Sequence, residues 1–188
     1  MFYTNLIVQD ILNKQVYKIT MKKEKKYTKG FTLVELMIAI TIATVIISIA
    51  LPAFRSLIQN NRAATQANEI RTALSMARSE AIKRAANVSV CSNSGTTSWQ
   101  SGWFVQTDAN SNCSIDASDG DELLRNQNGL SGGVTLTGTQ ASIAFFPEGR
   151  ANSALTLTLV SPDCTGDQNR VISVSITGHV SVQKSACP

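Results

Sequence analysis

The sequence predicts an α+β protein: a long N-terminal helix whose first half crosses a membrane and whose second half lies on an antiparallel β-rich head. Three observations predict this. Phe31 to Phe54 is a run of 24 residues whose single ionisable side chain is Glu35. At ~1.5 Å per residue a helix of that length reaches ~36 Å, enough to cross a hydrocarbon core of ~30 Å. Beyond Arg55 small apolar residues recur at helical spacing, and from Asn87 the pattern changes to short alternating runs separated by turn residues.

Charge divides the chain in the same places. Residues 1 to 30 carry seven Lys against Asp10 and Glu24, which accounts for the formal net charge of +4; from residue 31 onward ten basic and eleven acidic side chains leave a net of −1. Residues 55 to 84 hold six basic groups against Glu69 and Glu80, and residues 85 to 188 hold four against eight acidic ones. A mildly acidic head argues against a whole-surface electrostatic grip on nucleic acid.

A Lys-rich stretch before an apolar run is also the pattern of a secretory signal peptide. Here the run exceeds the usual h-region of roughly 7 to 15 residues, no A-x-A-like site follows it, and "MKKEKKYTKG" changes abruptly to "FTLVEL". The stretch Lys29-Gly30-Phe31-Thr32-Leu33-Val34-Glu35-Leu36 resembles the prepilin cleavage and methylation signal of type IV pilins and type II secretion pseudopilins. The resemblance implies that prepilin peptidase cuts between Gly30 and Phe31 on the cytoplasmic side and methylates the Phe31 amine. It implies a single-pass inner-membrane protein with its head in the periplasm, and assembly with other pilin or pseudopilin subunits. Such leaders are short, so Met21, which gives ten residues to Gly30, is the expected start.

Glu35 then has an expected role. A lone carboxylate in a membrane segment costs about 2.5 to 3.5 kcal/mol on insertion scales and points to function. After cleavage it lies near the positive end of the helix dipole, and the resemblance implies that it meets the free Phe31 amine of a neighbouring subunit. In an apolar phase an unpaired partner is costly, so the pairing selects correct docking.

Pro52 removes one helical hydrogen bond and is expected to kink the helix. From 55 to 86 the helix is expected to be amphipathic, with Ala63, Ala67, Ile70, Leu74, Ala77, Ala81 and Ala85 forming one narrow stripe for a sheet to lie on. The head, 87 to 188, contains eight candidate strands: Val88 to Cys91, Gly102 to Thr107, Glu122 to Asn126, Val134 to Thr137, Ser142 to Phe146, Leu155 to Val160, Arg170 to Thr177 and Val180 to Lys184. Within it "GWFVQTDANSNCSIDASDGDELLR" and "IAFFPEGR" resemble the FimT/GspH group of minor pilins and pseudopilins. This resemblance implies a minor type IV pilin that helps assembly at or near the pilus tip, with a type II secretion pseudopilin or a DNA-binding minor pilin for transformation as alternatives.

Cys91, Cys113, Cys164 and Cys187 all follow the apolar run and none forms a C-x-x-C pair. Disulfides in an oxidising compartment fit this better than a metal site. Three pairings are open; Cys91 with Cys113 and Cys164 with Cys187 are favoured because each closes a local loop of ~20 residues, worth about 3 kcal/mol. Asp108, Asn110, Asn112, Asp116, Asp119 and Asp121 partly imitate a calcium loop. Cys113 stands where an EF-hand needs glycine and Asp119 where it needs Glu, so an Asx-turn loop is expected and no metal.

DNA-binding FimT-like pilins carry a Gly-Arg-x-Arg motif between their last strands. The matching turn here is Gly178-His179-Val180-Ser181, which lacks both arginines. Arg170, His179 and Lys184 are the remaining candidate contacts, and DNA is not favoured as a partner. His179, the single histidine, excludes a His cluster, and no nucleophile motif, phosphate loop or zinc spacing accompanies it. Neither enzymatic activity nor a cofactor is expected.

Overall fold

The computed structural model describes residues 30–116, 118 and 120–187. Residues 1–29, which include Met21 and Lys29, lie outside the described residues, as does Asp119. The chain divides into two compact units at Ile46/Ile47. One helix, α1 (Leu33–Arg84), contributes to both.

In the first unit the helix begins at Leu33 rather than at Phe31, and Thr32 is the reason. Its hydroxyl oxygen accepts the Glu35 amide at 3.2 Å and its carbonyl accepts the Leu36 amide at 3.1 Å, the bonds of an N-cap. Thr32-x-x-Glu35 is the sequence of a capping box, so Glu35 occupies the third helical position, facing the dipole. Further along, Thr41 donates to the Met37 carbonyl at 2.7 Å and Thr44 to the Thr41 carbonyl at 2.8 Å. These hydroxyls thus find partners within the helix and need no water.

The second unit, from Ile47, contains the rest of α1 and eight strands: β1 (Val88–Ser92), β2 (Gly102–Thr107), β3 (Leu123–Asn128), β4 (Thr135–Gly138), β5 (Ser142–Phe145), β6 (Leu155–Val160), β7 (Asn169–Val174) and β8 (Val180–Ser185). They form two four-stranded sheets, β3-β2-β1-β5 and β4-β6-β7-β8, in which every pairing is antiparallel. The helix runs without interruption through Pro52.

The expected stripe is the face that packs. Ala63, Ala67, Ile70, Leu74, Ala77 and Ala81 have no exposed surface and share one core with Val88, Val90, Trp99, Trp103, Phe145, Leu157 and Ile172. Alanine lets the sheets approach the helix axis closely, and the bulk is supplied from the strand side. Ala85 departs from the expectation: it is exposed, and α1 ends at Arg84, two residues before Ala86. Its φ is +50°, and the Ala86 amide reaches back to the Ala81 carbonyl at 3.3 Å, closing the helix with a Schellman turn.

Alternation holds in β6, where Leu155, Leu157 and Leu159 face the core. It fails in β1, which is buried on both faces. Val88 and Val90 join the core, while on the other face Ser89 is buried and Cys91 is bonded to Cys113 of the loop 108–121. The Gly-Trp pair at the start of β2 also has a steric cause. Gly102 has φ +101°, and a Cβ there would run into the Gln127 carbonyl oxygen of β3.

Candidate functional site

The residues that precede α1 present an accessible peptide. Gly30, Phe31 and Thr32 are non-helical and exposed, and Phe31 retains 79% of its surface. Backbone outside the helix has carbonyls and amides free to pair with a protease, whereas a helical bond would first need unwinding. The helix that follows is long and apolar enough to cross a membrane, and its apolar stretch is not buried. Leu33, Met37, Ile38, Ile42, Val45, Ile49 and Phe54 are each at least half exposed.

Where α1 meets the sheets, polar side chains hold it at intervals. Gln168 donates to Ser56 Oγ at 2.7 Å, Arg170 to Asn60 Oδ1 at 2.6 Å, Gln66 to the Ser131 carbonyl at 3.0 Å and Arg78 to the Gly149 carbonyl at 2.9 Å. At the end of the helix Arg84 bonds Glu80 at 2.7 Å and Glu122 at 2.5 Å. The bond from Arg84, reinforced by Lys83, draws the Glu80 carboxyl below its ordinary range, and the two carboxylates raise the Arg84 guanidinium above its own.

The three candidate DNA contacts do not form a site. Arg170 is only 5% exposed, and besides Asn60 its guanidinium donates to the carbonyls of Asp167 and Asn169 at 2.9 Å. Burial and these bonds take it away from any phosphate. Lys184 is exposed and pairs in register with Arg170, whereas His179 is exposed at the turn that opens β8. At ~3.3 Å per residue the five positions between them separate their Cα atoms by roughly 16 Å. Gly178 in that turn has a packing role: its φ is +78°, and a Cβ would strike the Gly149 carbonyl and come within 2.9 Å of Arg78 Nε.

The acid-rich loop uses its oxygens on its own backbone. Buried Asp108 accepts the amides of Asn112 at 3.0 Å and Cys113 at 3.1 Å, and Asn112 Oδ1 accepts Ser114 at 2.7 Å. Asp121 accepts the amides of Ala109 and Asp116, each at 3.3 Å. Asp116 bonds both the hydroxyl and the amide of Ser118, which holds its carboxyl below the ordinary range. The Asn112–Ser114 and Asp116–Ser118 bonds are Asx turns, and Asp108 and Asp121 brace the loop across longer spans. Disulfides join Cys91 to Cys113 and Cys164 to Cys187, with Cα–Cα separations of 6.0 and 5.7 Å.

The Thr32 cap was missed although the T-x-x-E spacing signals it, whereas the helix-to-head bonds of Ser56, Asn60, Gln66 and Gln168 have no sequence signal. Exposed-looking polar residues acquire such partners only when distant segments meet.

Comparison with known proteins places this architecture. The profile of the type II transport protein GspH family matches residues 66–178, and that of the prokaryotic N-terminal methylation motif matches residues 25–51. The chain belongs to the GspH family. The fold of this GspH-family protein is that of the type IV minor pilin FimU of Pseudomonas aeruginosa strain PAO1. One FimU crystal form aligns at 22% identity and a TM-score of 0.56 over 68% of this chain and 96% of FimU; a second aligns at 21% and 0.53 over 66% and 99%. The minor pseudopilin EpsH of the Vibrio cholerae type 2 secretion system aligns at 15% identity and a TM-score of 0.49 over 65% of this chain and 97% of EpsH. No curated protein matches the sequence.

Proposed function

We propose that this GspH-family chain is a minor type IV pilin, made as an inner-membrane precursor, cut between Gly30 and Phe31, N-methylated on Phe31, and assembled with other pilins at or near the pilus tip. One observation carries the reading: a non-helical, exposed Gly30-Phe31 junction within the methylation motif directly precedes a capped helix whose first half leaves its large apolar side chains exposed. An unburied apolar surface of that length needs lipid or neighbouring helices to cover it. Cleavage leaves the helix in the product, and Glu35 stands four residues from the new amine. The amine of one subunit and the carboxylate of the next then form the contact that fixes docking. The head lies in the periplasm, an assignment supported by its two disulfides. Pro52 permits local bending of α1 when subunits pack.

A second reading, a type II secretion pseudopilin, is favoured by the family description itself. A deletion strain separates the two. Loss of twitching or transformation supports the pilus, and loss of exoprotein secretion with normal piliation supports the pseudopilus. The counter-charge role is tested by Glu35→Ala, expected to leave cleavage intact and impair incorporation; normal incorporation would refute it.

A further inference from the structure

We propose that two adjoining clefts, where the loop 163–168 meets α1, bind the headgroup of a zwitterionic phospholipid with a primary amine. In one cleft the phosphate lies against Lys184 and the ammonium against Asp167; in the other they lie against Arg55 and Asp163. The inference rests on the membrane-spanning reading of α1.

The first argument is level. Headgroup layers add roughly 5 to 7 Å on each side of the hydrocarbon core, which at ~1.5 Å per residue is about three to five helical residues. The apolar run ends at Phe54, so that layer covers about residues 55 to 59. The helical side of the clefts is formed by Leu51, Pro52, Ala53, Arg55, Ser56, Leu57, Gln59 and Asn60, which brackets this interval.

The second argument is charge. One cleft, of about 360 Å³, contains Asp167 and Lys184; the other, of about 420 Å³, contains Arg55 and Asp163. Each therefore offers one cation and one anion. None of the four side chains makes a hydrogen bond or ion pair among the described residues, although hydrogen-bonded neighbours surround them. A ligand that carries both charges satisfies both partners, whereas an anionic lipid without an amine sets its phosphate against an unpaired carboxylate. A quaternary amine has no N–H to donate.

The third argument is rigidity. Ser56 and Thr165 line both clefts, and Gln168, 4% exposed and lining the first, bonds Ser56 Oγ at 2.7 Å and Thr165 Oγ1 at 3.1 Å. Cys164 ties the loop to Cys187, so the aspartates are held in place before a lipid arrives. Preorganised charges lose less entropy on binding than mobile ones.

The test reconstitutes the full chain in bilayers of equal parts phosphatidylethanolamine and phosphatidylglycerol, then counts lipids retained after detergent extraction by native mass spectrometry. Roughly fivefold enrichment of phosphatidylethanolamine is expected. Asp163→Asn with Asp167→Asn should abolish or reverse that preference, and Arg55→Gln with Lys184→Gln should reduce retention of both lipids. Equal retention in an inserted chain, or a preference that survives all four substitutions, overturns the headgroup site and leaves the membrane reading intact. Failure to resist carbonate extraction overturns both.

Discussion

Arg170 Nη2 lies 2.6 Å from Asn60 Oδ1, so a buried guanidinium of β7 fastens the sheet to the helix one and a half turns beyond the apolar run. Its other donors meet main-chain carbonyls, and no carboxylate pairs with it among the described residues. The arrangement serves cohesion.

Removing that guanidinium leaves Asn60 and two carbonyls without their donor. Arg170→Ala should lower the unfolding free energy by about 2 kcal/mol, the cost of orphaning buried polar partners, and Asn60→Ala by about 1 kcal/mol. Chemical denaturation of the detergent-solubilised chain measures both. An Arg170→Ala midpoint equal to wild type would mean that the bond contributes nothing.

Gly178 gives a steric test with an internal control. Gly178→Ala places a methyl group against the Gly149 carbonyl in left-handed backbone, whereas Gly166, at φ +65°, has nothing within 4 Å of its would-be Cβ. Gly166→Ala should cost about 1 kcal/mol, the conformational term alone. Gly178→Ala should cost about 3 kcal/mol, because backbone must also move. Equal losses would show that the close approach is unimportant.

Stability should also respond to acid through the end of α1. The folded Glu80 carboxyl titrates below its ordinary value because Arg84 and Lys83 favour its charged form. Its contribution is therefore complete above the unfolded carboxylate pKa and disappears as pH falls through the lowered folded value. Glu80→Gln should remove that part of the acid dependence while changing little near neutrality, as expected of an exposed pair. Thermal melts from neutral to acidic pH read the difference, and parallel wild-type and variant curves would contradict it.

Much of this was legible in the residues because it rests on local physics. The alanine stripe predicted the packed face of α1 since spacing alone decides which side of a helix is small and apolar. The strands were placed to within a few residues: β3 runs to Asn128 rather than Asn126, and β7 stops at Val174 rather than Thr177, where the turn bond from Gly178 to the Ser175 carbonyl begins. The order of the two sheets was not legible, because pairing β1 with β5 or β4 with β6 depends on contacts distant in sequence. For the same reason Arg170 read as a surface cation, and its burial follows from Asn60, 110 residues away.

The central claim concerns the first residues of the helix and its peptidase. Mass spectrometry of the chain extracted from membranes should find an N-terminus at Phe31, carrying a methylated amine. An intact Lys-rich leader, or a cut at any bond other than Gly30–Phe31, would contradict it.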